Sequence, residues 1–190
     1  MSADFLFKLE ALGYSEDDVL KTIEYGFGTF IPGSHKTTDN IGIIGFGGMG
    51  ELYTRKLAAD KWNVNICDTI QNYQKNKEYI EASNYKEYIN LYKSAEEVIV
   101  NSNYILFCTE AHVMTIILEN IEDKTVFQNK IIGGQASSKS KEVLSFLEFK
   151  HKHKLSNLSI ISLHNMHGPN VPSKGQNLAI IPVFVNNMQD

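Results

Sequence analysis

From Asn40 onward, short apolar runs alternate with stretches whose apolar residues recur at helical spacing. The runs Ile41–Gly45, Val64–Cys67, Tyr88–Leu91, Tyr104–Cys108, Lys130–Gly133, Ser159–Leu163 and Leu178–Ile181 predict strands. Between them, Met49–Asp60, Ile70–Ser83, Ala95–Asn101, Val113–Ile121 and Ser138–Phe149 predict helices. Ser94 is placed to cap the third of these, with Glu96 and Glu97 in the first turn, where the helix dipole favours negative charge. Unbroken apolar strands separated by helices imply an α/β fold: a doubly wound, mostly parallel sheet covered on both faces. The expected strand order is 3-2-1-4-5-6, with a further strand at the edge. Residues 1–39 read as a short appended extension: Ser15 and Asp18 resemble a capping pair for one helix running to about Tyr25, and Gly26, Gly28, Pro32 and Gly33 break it. Residues 40–190 form the expected α/β domain.

The first strand runs into Ile41-Gly42-Ile43-Ile44-Gly45-Phe46-Gly47-Gly48-Met49-Gly50, in which Gly45, Gly47 and Gly50 form G-x-G-x-x-G. A buried strand, a glycine turn and a helix N-terminus together make an anion site. Gly45 permits the turn, Gly47 lets the backbone approach a pyrophosphate, and Gly50 lets helix and strand pack closely. Phe46, Gly48 and Met49 complete the loop and are counted with it as cofactor-binding positions. Asp68 closes the second strand, 18 positions after Gly50, where a carboxylate can accept hydrogen bonds from ribose hydroxyls. The motif therefore points to a dinucleotide, NADP or NAD, in a Rossmann-type domain. Asp68 followed by Thr69 favours NAD on electrostatic grounds, because a 2′-phosphate would meet a carboxylate with no adjacent arginine.

Bulk properties narrow the picture. The net charge of −4 argues against a nucleic-acid surface. The tyrosines at 73, 79, 85, 88 and 92 read as an amphipathic helix and an edge strand rather than as a stacking platform. No apolar stretch approaches the ~18 residues of a membrane span, and the N-terminus lacks the pattern of a secretory signal. Cys67 and Cys108 end predicted strands without C-x-x-C spacing, which suits reduced, buried thiols in a cytoplasmic protein.

In such a sheet, ligands bind beyond the carboxyl ends of the strands. The loop Cys108–His112 follows the fourth strand, and its Thr109 can flank the nicotinamide ribose. Gly133–Lys139 and Ser162–Pro169 follow neighbouring strands, so Ser137 and His164 can meet above one edge of the sheet. A neutral imidazole there can accept a proton from a substrate hydroxyl while hydride leaves the same carbon. Ser137 can orient the ring or the substrate oxygen, or cap the following helix. Lys139 can hold a substrate carboxylate, and His167 is counted with it as a substrate-binding position. His164 and His167 lack a third ligand, so no metal site is expected. His151 and His153 read as a solvated loop, and His112 as a surface residue at a helix start.

With these motifs assembled, the chain resembles prephenate dehydrogenase of the fungal type from about Asn40 onward. The resemblance is carried by the glycine loop, by Trp62–Asp68, by Gly133-Gly134-Gln135-Ala136-Ser137 and by His164-Asn165-Met166-His167-Gly168-Pro169. It implies oxidative decarboxylation of prephenate to 4-hydroxyphenylpyruvate in tyrosine biosynthesis, with NADP as the expected cofactor and NAD as the alternative. It also implies that His164 is the catalytic histidine and Ser137 the serine beside it. Asn165 stands where bacterial members usually carry proline. The family's C-terminal helical domain forms its dimer and supplies further substrate-binding residues. No counterpart precedes Asp190, so a truncated chain is expected, with a homodimer only where that domain is present. Two alternatives are a non-catalytic dinucleotide-binding fragment and another NAD(P)-dependent dehydrogenase of small acids.

Overall fold

The structure, a computed structural model, describes residues 39–171 and 178–185 together with Ala11. The helix expected within residues 1–39 lies outside the described residues.

Seven strands form one sheet: β1 (Asn40–Ile44), β2 (Asn63–Cys67), β3 (Ile89–Leu91), β4 (Tyr104–Phe107), β5 (Ile131–Gly134), β6 (Ser159–Asn165) and β7 (Leu178–Phe184). Their order is β3-β2-β1-β4-β5-β6-β7, as the sequence pattern predicts. The first six are parallel and β7 runs antiparallel to β6. The helices are α1 (Gly48–Ala59), α2 (Tyr73–Glu81), α3 (Ala95–Val100), α4 (Ala111–Asn120) and α5 (Lys139–Lys152). None of the described helices is long and apolar enough to cross a membrane.

The central strands are apolar on both faces because both faces are covered. Successive residues of β1 show this: Ile43 joins a core cluster with Ala58, Val64, Ile66 and Ile80, while Ile44 joins another with Phe107, Ile132 and Phe146. Strand geometry sends neighbouring side chains to opposite faces. Ser94 caps α3 as expected: its hydroxyl accepts from Glu97 N at 3.2 Å, and Glu97 Oε2 accepts from Ser94 N at 3.0 Å.

Several boundaries differ from the expectation for local reasons. The helix expected over Ile70–Ser83 opens as a 3-10 turn at Ile70–Asn72 and becomes α-helical only at Tyr73. A second 3-10 turn at Lys86–Tyr88 delays β3 to Ile89. Strand β6 continues two residues past Leu163 because β7 pairs with it, His164 opposite Ala179 and Asn165 opposite Leu178. His164 therefore stands on a strand rather than in a loop. Helix α5 runs to Lys152, so His151 and His153 do not form a solvated loop. The stripe Phe146, Leu147, Phe149 and Lys150 keeps the last turns buried, and the His153 ring packs on Phe149 with centroids 4.9 Å apart.

Lys150 is a cation inside this core, 5% exposed. Its ammonium donates to the carbonyls of Leu155, Ser156 and Leu158, the latter two at 2.9 and 2.8 Å, and lies 3.9 Å from the centre of the Phe184 ring. Burial pulls its pKa down to about 8, while the three carbonyls and the ring favour the charged form. Lys150→Met leaves those carbonyls unsatisfied, and a loss of about 3 kcal/mol is expected, read as a lower urea midpoint at unchanged slope.

Candidate active site

The site begins where β1 gives way to α1. Gly45 has φ +96°, a left-handed conformation that favours glycine, and a Cβ there would lie 2.8 Å from the Cys108 carbonyl oxygen. Gly50 packs tighter still, with a Cβ position 1.9 Å from the Gly45 carbonyl oxygen. Gly47 is the N-cap of α1 and offers no side chain to its amides. A Cβ there would meet nothing within 4 Å. The first amides of a helix have no intrahelical acceptor, so this corner presents donors, positive dipole and open space together. Those are the requirements of a diphosphate.

Asp68 is tied into the same corner. Its Oδ2 accepts from Phe46 N at 3.3 Å and its Oδ1 from Thr69 N at 2.6 Å. Each carboxylate oxygen has a further lone pair for a ribose hydroxyl. Phe46 stacks edge-on against Tyr79 at 5.7 Å, and Tyr79 donates to Glu51 Oε1 at 2.7 Å. An aromatic wall therefore flanks the carboxylate.

A cleft of about 510 Å³ opens beside this corner, between the ends of β4 and β5. Met49, Thr109, His112, Gln135, Ser137 and Lys141 line it. Ser137 is exposed there, and its hydroxyl makes no hydrogen bond within the described residues. It is not the helix cap: Ser138 is the N-cap of α5, and it makes no side-chain capping bond. His112 is at the surface as expected, with Nδ1 3.4 Å from Glu110 Oε2.

His164 reaches the same edge of the sheet from β6, the strand beside β5. Its ring has no hydrogen-bond partner among the described residues, and it makes none to Ser137. His167 bonds the Gly168 carbonyl at 2.9 Å. The following Pro169 comes back to the glycine loop, so that a Cβ on Gly48 would lie 2.8 Å from its Cγ. Lys139 faces inward instead of into the cleft: its ammonium donates to Glu142 Oε1 at 3.1 Å and to the Leu163 carbonyl. Among the described residues no group of three metal-ligating side chains occurs.

Two polar chains escaped the sequence reading. Gln135 Nε2 donates to the Tyr53 hydroxyl at 2.6 Å, and that hydroxyl donates to Asn165 Oδ1 at 2.9 Å. Burial pushes the Tyr53 phenol up to about 12, so it remains a donor at neutral pH. The other chain centres on Glu142, which is fully buried. The available signal was an acidic residue on the apolar stripe of α5, four residues before Phe146.

Both cysteines sit under the corner. Burial, then Asp68 and Glu97, push the Cys67 thiol up to about 12, and burial, then Glu142, do the same for Cys108. Ellman's reagent at pH 8 is expected to titrate neither thiol in the folded protein and both in guanidinium. The unfolded chain releases these protons first. Their contribution to stability is therefore intact below the ordinary value of 9.0 and is lost as pH rises towards about 12.

Fold and corner together are those of an α/β domain of the Rossmann type. The fold is shared with solved oxidoreductases. An imine reductase from Pseudomonas sp. superimposes with a TM-score of 0.58 at 19% identity, over 70% of this chain and 43% of that one. An imine reductase from Myxococcus stipitatus in complex with NADP+ gives 0.57 at 12% identity, over 69% and 42%. At such identities the likeness concerns the fold alone. No family profile matches the chain.

In sequence, the chain is similar to fungal prephenate dehydrogenases. It is 37% identical over 147 residues to the probable prephenate dehydrogenase (NADP+) of Schizosaccharomyces pombe and 34% identical over 146 residues to the prephenate dehydrogenase (NADP+) of Saccharomyces cerevisiae. Each match covers 77% of this chain, and the chain spans 32% and 30% of those relatives.

Proposed function

We propose that this chain is the nucleotide-binding part of a cytoplasmic prephenate dehydrogenase of tyrosine biosynthesis, using NADP+. The observation that carries the reading is the convergence of the open glycine corner, the exposed Ser137 hydroxyl and the unpartnered His164 ring on one edge of the sheet. The similarity to two fungal enzymes of that name supports it. The residues fit the dinucleotide portion that NADP+ and NAD+ share. The amides of Gly47, Gly48, Met49 and Gly50 would face its diphosphate, Asp68 its adenosine ribose and Thr109 its nicotinamide ribose. Bound there, the oxidised nicotinamide supplies a hydride acceptor.

The remaining chemistry falls to this chain's side chains. The His164 imidazole takes the proton of the ring hydroxyl as hydride departs from the carbon that carries it. Loss of the ring carboxylate as CO2 restores aromaticity, and the proton returns to the phenol oxygen. Ser137 orients the hydroxyl or the imidazole. Aromatisation drives the reaction, so orientation is the protein's main contribution. Cations in reach of a dianion are few: Lys141 lines the cleft, and Lys139 is turned inward with its charge paired to Glu142. The reading therefore calls for a further cationic group from outside the described residues, and for a homodimer where the remaining part of such an enzyme is present.

The test is direct. Prephenate and NADP+ should yield reduced-nicotinamide absorbance and 4-hydroxyphenylpyruvate in equal amounts. Failure of both NADP+ and NAD+ to bind at millimolar concentration removes the reading. Binding of either without turnover by the intact protein leaves only a dinucleotide-binding role. Cofactor choice can be read separately. In Asp68→Ala, affinity for NADP+ should improve relative to NAD+ several-fold in calorimetry, because the carboxylate repels a 2′-phosphate. An unchanged ratio shows that Asp68 does not set the preference.

A further inference from the structure

The Gly133-Gly134 pair has a physical explanation that the glycine-loop argument does not cover. A Cβ on Gly133 would lie 2.9 Å from Ile161 Cγ1, and one on Gly134 would lie 2.3 Å from the carboxyl carbon of Glu142. The absence of a side chain at Gly134 leaves room for a carboxylate against the backbone of β5. That carboxylate is 0% exposed, on the first turn of α5. A charge removed from water this fully must be paired and hydrogen-bonded to be tolerated.

Its partners all lead to the proposed site. Glu142 Oε2 accepts from Ala136 N, the amide directly before Ser137, at 2.5 Å. Oε1 accepts from Ser162 Oγ, two residues before His164 on the same face of β6, and from Lys139 Nζ at 3.1 Å. Lys139 in turn holds the carbonyl of Leu163, which precedes His164. One buried ion pair thus grips the loop that carries Ser137 and the strand end that carries His164. Neither of those side chains has any other polar contact among the described residues to fix its place.

Resting on the function proposed above, we infer that Glu142 is a positioning residue that sets the distance and angle between Ser137 and His164. It touches neither substrate nor cofactor. Its loss acts through geometry, and a displacement of about 1 Å at reacting groups can cost on the order of 100-fold in rate. Glutamine in its place keeps the bulk but cannot satisfy the Ala136 amide, the Ser162 hydroxyl and the Lys139 ammonium together.

The test compares Glu142→Gln and Glu142→Ala with wild type in the intact protein. In prephenate turnover, kcat should fall about 100-fold in the alanine variant and about 10-fold in the glutamine variant, with the NADP+ dissociation constant within about twofold of wild type. Independently of turnover, the amide resonances of Ala136 and Ser137 and the ring resonances of His164 should shift in both variants, while the amides of Gly47 and Met49 stay in place. A folded variant whose Ser137 and His164 resonances match wild type overturns the inference, as does one with unchanged kcat. If alanine prevents folding, the glutamine variant decides by the same criteria. Absence of wild-type turnover with prephenate counts against the proposed function alone, and the resonance shifts then decide the role of Glu142.

Discussion

His164→Asn is expected to lower kcat for prephenate turnover by about 10²- to 10⁴-fold, the range of a lost general base, while NADP+ binds as before. The separation follows from the architecture. The glycine corner is built from β1 and α1, and His164 lies three strands along the sheet on β6. Asparagine fits a half-buried strand position and can still accept a hydrogen bond from a hydroxyl, but it cannot take the proton. Substantial turnover in the variant would remove His164 from the mechanism and leave Ser137 or a group outside the described residues to do its work.

The second large effect separates two glycines of the same loop. In Gly50→Ala, the new methyl would stand 1.9 Å from the Gly45 carbonyl oxygen and 3.5 Å from Cys108 Cβ. Backbone on one side and a core side chain on the other leave no flexible end to give way, so α1 must lift from β1. That helix buries Leu52, Thr54 and Ala58. A loss of about 3 kcal/mol or more is expected, at or above the upper range for overpacking, with dinucleotide affinity lost as the helix N-terminus moves. Gly47→Ala should do the opposite. Gly47 has φ −77°, which alanine adopts freely, and the methyl enters open space. Stability should stay within about 0.5 kcal/mol, while the dissociation constant for NADP+ rises at least tenfold, because the methyl occupies the approach to the diphosphate. Thermal unfolding and calorimetry on the pair read both quantities. A Gly47→Ala protein that binds NADP+ normally would show that the diphosphate does not sit at this corner.

Much of the fold was legible in the sequence because parallel strands covered on both faces are continuously apolar. β1, β4 and β5 stand out for that reason, and the capping box at Ser94 and Glu97 is a purely local device. Boundaries were less legible where a distant partner sets them. The end of β6 depends on β7, and the last turns of α5 depend on the buried stripe that Lys150 and Phe149 continue. The glycine corner was readable residue by residue, since each glycine answers to backbone sterics within a few positions. Lys139 was not: its charge pairs with a carboxylate one turn away and with a carbonyl on another strand.

The chain's own order of residues thus settles which segments become strands and helices, and that a glycine turn opens onto a helix N-terminus at Gly45–Gly50. Both follow from local conformational limits and from periodic burial. Tertiary structure alone decides that Glu142 lies inside against Gly134, that Tyr53 joins Gln135 to Asn165, and that Pro169 returns to Gly48. These contacts join positions 8 to 121 residues apart. Their energies arise from desolvation and hydrogen-bond geometry that exist only once the sheet has brought the segments together.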